Sequence, residues 1–173
     1  MDQQVISNLG STVLAELGDA VSGTQTFRDE VTLFCLRERV VEVLKYLRDA
    51  QKFDMLTDET CVDYYPNQPR FGIIYQLNST TRNIRVRVKV MLSENDRSIA
   101  SACGVYRAAN WLEREIYDLF GITFAGHPDL RRIMMPPGWE GHPLLKENPA
   151  KVEEVAFSFN RERVDANKPH AQE

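Results

Sequence analysis

The sequence is poor in the residue groupings that mark chemistry. Cys35, Cys61 and Cys103 are 26 and 42 positions apart, and no CxxC pair occurs. A zinc ribbon, an iron–sulfur cluster and a disulfide scaffold therefore have no basis here, and reduced structural thiols are expected. There is no P-loop, no GxSxG and no glycine-rich dinucleotide fingerprint, so the common phosphate, nucleophile and cofactor cradles are missing. No apolar run approaches the ~20 residues needed to cross a bilayer. The N-terminus MDQQVISNLGSTVLAEL lacks the basic start and unbroken apolar stretch of a secretory signal. The expected location is cytoplasmic, with any membrane association borrowed from partners. The chain also lacks positive charge: 21 Lys+Arg against 25 Asp+Glu leaves a net charge of −4 in 173 residues. Such a balance gives no general attraction for nucleic acid. Repeats and low-complexity tracts are absent as well.

What is present is an ordinary globular composition, 43% hydrophobic and 27% charged, arranged in short periodic blocks. Residues 1–17 form a weak helix candidate interrupted by Gly10. Residues 31–36 (VTLFCL) read as a buried strand. Val40, Val43, Leu44 and Leu47 fall on one stripe of a helix over about 38–48. A strand is expected at 59–64. The strongest signal is period two: Phe71, Ile73, Tyr75 and Leu77, then Ile84, Val86, Val88, Val90 and Leu92. With NSTTRN between them, these runs predict an antiparallel hairpin with one face in a core. Its other face carries Arg85, Arg87 and Lys89, either a solvated outer surface or a docking face for an acidic partner.

Residues 108–120 (AANWLEREIYDLF) predict the next helix. Leu112, Ile116, Leu119 and Phe120 supply the apolar stripe, and Gly121 stands where a helix-terminating glycine belongs. Arg114 and Asp118 are in register for an i,i+4 ion pair. Periodicity then stops. Between Ile122 and Pro149 there are five prolines and three glycines, with Ile133, Met134, Met135, Trp139, Leu144 and Leu145 among them. A ribbon without periodicity cannot fold all of these into its own core, and apolar surface left outside marks a protein–protein interface. VEEVAFSF then alternates as a possible late strand or arm, and residues 160–173 are polar and frayed. The expected organisation is an α+β domain over residues 1–124 and an extended, partner-wrapping segment over 125–173. The domain should have two layers, with a mixed, largely antiparallel sheet packed by helices. Without its partner, such a chain is expected to be partly unstable or to aggregate.

Catalytic constellations are weak. A metal could draw on His127, His142, Asp129 and Glu140, but no HxxxH or HExxH spacing fixes them to one face. Glu113 and Glu115 are two apart on a helix and point about 200° from each other, so they cannot work on one substrate. The residues by themselves describe an interaction or scaffold subunit with no visible active site.

The run from Trp111 to Ile122 (WLEREIYDLFGI), followed by Phe124 and Gly126-His127-Pro128-Asp129-Leu130-Arg131-Arg132-Ile133, closely resembles the signature of the C-type subunit of NADH-quinone oxidoreductase (the NuoC family), a hydrophilic component of respiratory complex I. The resemblance continues through Gly138, Glu140, Gly141-His142-Pro143-Leu144 and Lys146. Upstream it includes Leu47-Arg48-Asp49, Val62 to Pro66 and the hairpin, about residues 30–150 in all. One departure follows Leu144, where the family shows a basic pair, an acid, an aromatic and a proline, and this chain reads Leu145-Lys146-Glu147-Asn148-Pro149.

That resemblance implies a subunit with no catalytic, cofactor-binding or metal-binding residues of its own. It would sit in the peripheral arm near the quinone-reducing module, on the cytoplasmic side of the plasma membrane or the matrix or stromal equivalent, with its ribbon wrapped on the neighbouring D-type subunit. The complex would pass electrons from NADH through FMN and iron–sulfur centres, all in other subunits, to quinone while translocating protons. Arg114, Arg131 and Arg132 would bind carboxylates, either internal ones (Glu113, Asp118, Asp129) or those of the D-type subunit. Trp111, Phe120, Phe124 and Trp139 would anchor apolar contacts. Two other readings remain: the equivalent subunit of a membrane-bound hydrogenase, formate hydrogenlyase or ferredoxin- or F420-dependent dehydrogenase, and a free-standing enzyme with a metal on His127 and His142.

Overall fold

The structure, a computed structural model, describes residues 3–147 apart from 29 and 137, with side chains from residue 9 onward. The arm expected at 152–159 and the tail at 160–173 lie outside the described residues. Helix α1 (Gln3–Leu17) leads into β1 (Val21–Phe27) and β2 (Glu30–Cys35), then α2 (Val40–Asp49). Strands β3 (Met55–Asp63), β4 (Phe71–Ser79) and β5 (Ile84–Leu92) follow, then the short β6 (Ser98–Ala100), α3 (Ala109–Phe120) and β7 (Thr123–Ala125).

Five strands form one sheet in the order β1-β2-β5-β4-β3, antiparallel except for the parallel pair β2–β5. The expected hairpin is there, in register from Phe71↔Leu92 to Ser79↔Ile84. Its alternation decides which face is inside. Ile84, Val86, Val88, Val90 and Leu92 are all buried, as are Leu33 on β2 and Ile73, Tyr75 and Leu77 on β4. Val40, Val43, Leu44 and Leu47 of α2 are fully buried and join them in one core with Leu9 and Val13 of α1 and Ile116 of α3. Each such aliphatic side chain contributes about 1.5–3 kcal/mol. The helices lie on this face alone, giving the two-layer α+β architecture.

Several elements differ from the sequence expectation. Gly10 does not break α1, which runs through it; it sits beside Thr24 of β1. Residues 31–36 are not buried throughout: β2 alternates, burying Val31, Leu33 and Cys35. Strand β3 begins at Met55, earlier than 59. Strands β1, β6 and β7 carry no sequence signal. β1 is an edge strand of mostly exposed polar residues and so lacks the apolar alternation that betrays a strand. β6 and β7 are three residues each and pair in parallel to carry the chain past residue 124 into the ribbon.

On the bare face, Arg87 donates to Glu30 (2.9 Å) and Lys89 to the Tyr64 hydroxyl (2.8 Å). Two of the three cations there are engaged by their own neighbours, the pattern of a solvated outer face.

Candidate functional site: a polar-latched apolar ribbon on α3

Helix α3 contains neither proline nor glycine, and it ends where Gly121 adopts φ 73° and returns its N–H to the Tyr117 carbonyl at 2.9 Å. Only a glycine fits there. The left-handed conformation disfavours side chains, and a Cβ would stand 2.6 Å from Cδ2 of the His142 ring. The helix buries the face that apolar spacing predicts only in part, with Leu112 and Phe120 half-buried against the core. Of Leu112, Ile116, Leu119 and Phe120, only Ile116 is fully buried, while Glu113, Arg114 and Asp118 are all inside. Glu115 points outward, consistent with its separation from Glu113.

Each buried polar group of α3 holds a piece of distant chain. Arg114 and Asp118 do not pair with one another. Arg114 donates from Nε to the carbonyl of Arg131 (3.1 Å) and from Nη2 to that of Arg132 (3.4 Å), and its guanidinium lies 5.1 Å from the exposed Trp111 ring. The Asp118 carboxylate accepts the backbone N–H groups of Ile133, Met134 and Met135 at 3.0, 2.7 and 2.8 Å, all on Oδ2. Its Oδ1 accepts from Arg132 Nη1 at 2.9 Å. Burial opposes ionisation of Asp118, but the three N–H donors and Arg132 outweigh it and hold the carboxyl below its usual range. Arg132 also reaches the Gly141 carbonyl (3.0 Å), and His142 donates from Nδ1 to the Asp118 carbonyl at 2.9 Å. Arg132 is therefore committed internally. Arg131, exposed, pairs with the equally exposed Asp129 at 2.9 Å.

Glu113 fastens the start of the ribbon's neighbourhood. It accepts from Ser101 Oγ (2.6 Å) and the Ala102 N–H (2.5 Å), with Cys103 Sγ at 3.5 Å and His127 Nε2 at 3.9 Å. Ligand-capable atoms of Cys103, Glu113 and His127 lie within 4.8 Å of one another. The imidazole is spoken for, however. Nε2 donates to the Asn110 carbonyl and Nδ1 accepts the Asp129 N–H, both at 3.0 Å. Burial pushes the Cys103 thiol up to about 11. Cys35 and Cys61 are pushed up to about 12 by burial, the opposite of an activated nucleophile.

A second latch leaves no mark in the sequence. Arg70, with a fully buried side chain, grips Asp63 through Nε (2.9 Å) and Nη2 (2.8 Å). Its Nη1 reaches Glu94 and Glu147, each at 2.5 Å. Asp63 also accepts the Lys146 N–H at 3.0 Å, and its hydrogen bond from Arg70 holds its carboxyl well below the usual carboxylate range. Lys146 thus enters through its backbone, and Glu147, the acid of the family pattern, enters through its carboxylate. Leu145 beside them is buried in the core.

Arg132 and much of the ribbon backbone are tied inward, Asp129 and Arg131 stay exposed, and several large apolar groups here face outward. Trp111 is 61% exposed, Met134 59%, Leu144 50%, Trp139 47% and Ile133 38%. The two tryptophans are thus not internal anchors, whereas Phe124 is buried and Phe120 packs on the core. Among the described residues, no helix is long and apolar enough to cross a membrane. Fold and surface together define a small α+β chain with large apolar side chains exposed around α3 and the ribbon.

Its relatives narrow that class. The family described as the respiratory-chain NADH dehydrogenase 30 Kd subunit matches residues 33–154, and the chain belongs to that family. It is 45% identical to the C-type subunit of NADH-quinone oxidoreductase from Roseiflexus sp. (strain RS-1), over 92% of each chain. It is 54% identical to the corresponding subunit of Trichlorobacter lovleyi, over 65% of this chain and 70% of that one. In Ectopseudomonas mendocina the C and D types are fused in one NADH-quinone oxidoreductase chain, 46% identical over 88% of this chain and 27% of its own length. Among solved structures, the trypsin-resistant fragment (1-134) of Nqo5 superimposes with a TM-score of 0.61 at 32% identity, covering 69% of this chain and 98% of that one. A chain of an archaeal membrane-bound sulfane sulfur reductase superimposes with a TM-score of 0.71 at 16% identity, over 96% and 95% of the two chains, a likeness of fold. Complex I, quinone and the respiratory chain are therefore the setting.

Proposed function

We propose that this chain is a non-catalytic, cofactor-free scaffold subunit of the peripheral arm of proton-translocating NADH:quinone oxidoreductase. Its segment from residue 125 onward docks on the D-type subunit, on the cytoplasmic side. FMN and iron–sulfur centres belong to other subunits. The observation that carries the reading is the exposure of large apolar side chains on the ribbon, Ile133, Met134, Trp139 and Leu144, while Arg132 and the N–H groups of residues 133–135 and 146 are held by Asp118 and Asp63. The existence of fused C/D relatives supports the D-type subunit as the neighbour.

Docking on such a platform is driven by apolar burial, with aromatic groups contributing up to ~2 kcal/mol or more each. The test is co-purification from membranes with a tagged chain. Replacing Trp111, Met134 and Trp139 together by serine is expected to leave the domain folded and remove the co-purifying subunits. Arg131→Glu, at an exposed pair, is expected to retain them. Capture that survives the triple substitution but fails with Arg131→Glu would overturn the apolar reading.

A further inference from the structure

Glu59 plays no part in the docking surface, and its surroundings are unusual. It lies on β3 opposite Tyr75 of β4, on the sheet edge that α3 packs against, and it is 3% exposed. Neither of its carboxyl oxygens makes a hydrogen bond of normal geometry, and neither does the buried Tyr75 hydroxyl. A buried carboxylate without a donor is among the least favourable arrangements a core can hold, whereas the neutral acid is tolerated. The groups that face it offer little compensation: the Tyr75 hydroxyl favours the ionised form, and two acids oppose it. These groups are Asp58 on its own strand, Tyr75 on β4 and Glu113 on α3. Beyond these lie Cys103 in the loop before α3 and Cys35 on β2, which faces Tyr75. His127 interacts with Glu113 on its far side.

Glu113 is placed differently. It has the Ser101 hydroxyl, the Ala102 N–H and the Cys103 thiol around its oxygens. Burial raises both acids, but Glu113 is surrounded by donors and Glu59 faces only the Tyr75 hydroxyl, so the proton falls on Glu59. We propose that Glu59 is a buried proton-binding site: the chain folds with a proton held on this carboxyl beneath α3, beside the Glu113 carboxylate, and loss of that proton loosens the seating of α3 and of the ribbon it carries.

Burial, followed by the charge of Glu113, drives the Glu59 acid well above its ordinary 4.5. The folded chain then binds a proton that the unfolded chain has released. Stability from this group is complete below its unfolded value and declines as pH rises toward the folded one. Across that window the unfolding constant grows by up to about tenfold per pH unit.

The experiment is urea unfolding of the full chain between pH 5 and 8.5, read by tryptophan fluorescence, for the wild type, Glu59→Gln and Glu59→Leu. The wild type is expected to lose stability with a slope up to about tenfold per pH unit steeper than either variant. Exchange of the Ala102 and Ile133–Met135 amides is expected to quicken with pH in the wild type beyond the change seen in the variants. Should the variants fail to fold, the infrared band of a protonated carboxyl, persisting in the folded wild type above pH 7, supports the site. Equal slopes in all three proteins, or absence of that band at neutral pH, overturns it.

Discussion

Removing the Asp118 carboxylate should free the ribbon without dissolving the domain. Asp118→Ala takes away one acceptor that holds three backbone N–H groups within 3.0 Å and one guanidinium at 2.9 Å. Hydrogen bonds to a charged group contribute about 1.5–3 kcal/mol each. The donors at 133–135 are only partly buried and regain water on release, so the full sum is not lost. A local cost of about 3 kcal/mol is a reasonable scale. At 1.4 kcal/mol per tenfold, the open ribbon becomes roughly a hundredfold more populated. Trypsin reports this directly, since Arg131 and Arg132 lie at the latch and their carbonyls are held by Arg114. Cleavage after these residues is expected to accelerate about a hundredfold under conditions where it follows the open population. The urea transition of the sheet should move little. Cleavage at the wild-type rate would refute the latch, and a lost cooperative transition would show that Asp118 supports the core instead.

Gly121→Ala should displace the His142 ring and force a left-handed alanine, at a cost of about 2–3 kcal/mol in thermal unfolding and with a shifted His142 resonance. Arg70→Met should leave Asp63 buried without its partner and destabilise the chain by about 3–5 kcal/mol in urea. Changing Asp63 to leucine in the same chain should recover much of that, a comparison read by a double-mutant cycle. Glu147→Gln, at a partly exposed position, should cost under ~1 kcal/mol. Asp63 and Asp118 are both held below their ordinary 3.8, so their stabilisation is present above that value and lost as pH falls beneath it. Amide exchange at residues 133–135 and 146 should therefore rise on acidification below about pH 4.

The sheet hairpin and α2 are legible in the sequence because side-chain alternation there directly reports burial: Ile84 to Leu92 and Val40 to Leu47 each put the core-forming apolar residues on one face. Helix α3 can be found from sequence but not oriented. Its apolar residues suggest one buried face, while Glu113, Arg114 and Asp118 are buried as well, because the loop before α3 and the ribbon supply them with partners that no local spacing reveals. Arg70 is hidden for the same reason. Its three carboxylates come from β3, the loop after β5 and the far end of the ribbon, and Lys146 meets Asp63 across 83 positions. The motif residues Trp111 to Lys146 can be named together from the family resemblance, but their division between inward polar groups and outward apolar ones depends on contacts between distant segments. β1 escapes because an exposed edge strand carries no burial signal.

A ribbon of this composition faces two demands that conflict. Apolar side chains left in water favour collapse of the segment onto the domain, whereas docking needs them outside. Backbone groups in an irregular segment also need partners that a helix or strand would supply automatically. Asp118, Arg114, Arg70 and Asp63 answer both demands. Asp118, Arg114 and Asp63 bind the ribbon through its N–H groups and carbonyls and Arg70 through the Glu147 carboxylate, leaving its apolar side chains unused, so that Met134 stays 59% exposed although its own N–H is fixed at 2.7 Å. The buried charges of α3 are thus the reason the platform is apolar. On the proposed docking, a partner would meet a surface already in place, and little ordering entropy would remain to oppose association. This predicts a specific asymmetry in binding kinetics. Loosening the ribbon by Asp118→Ala should slow association with the partner subunits, since the competent state is populated less. Trimming Trp111 or Trp139 should leave association nearly unchanged and speed dissociation. The reverse pattern would mean that the ribbon orders only on contact.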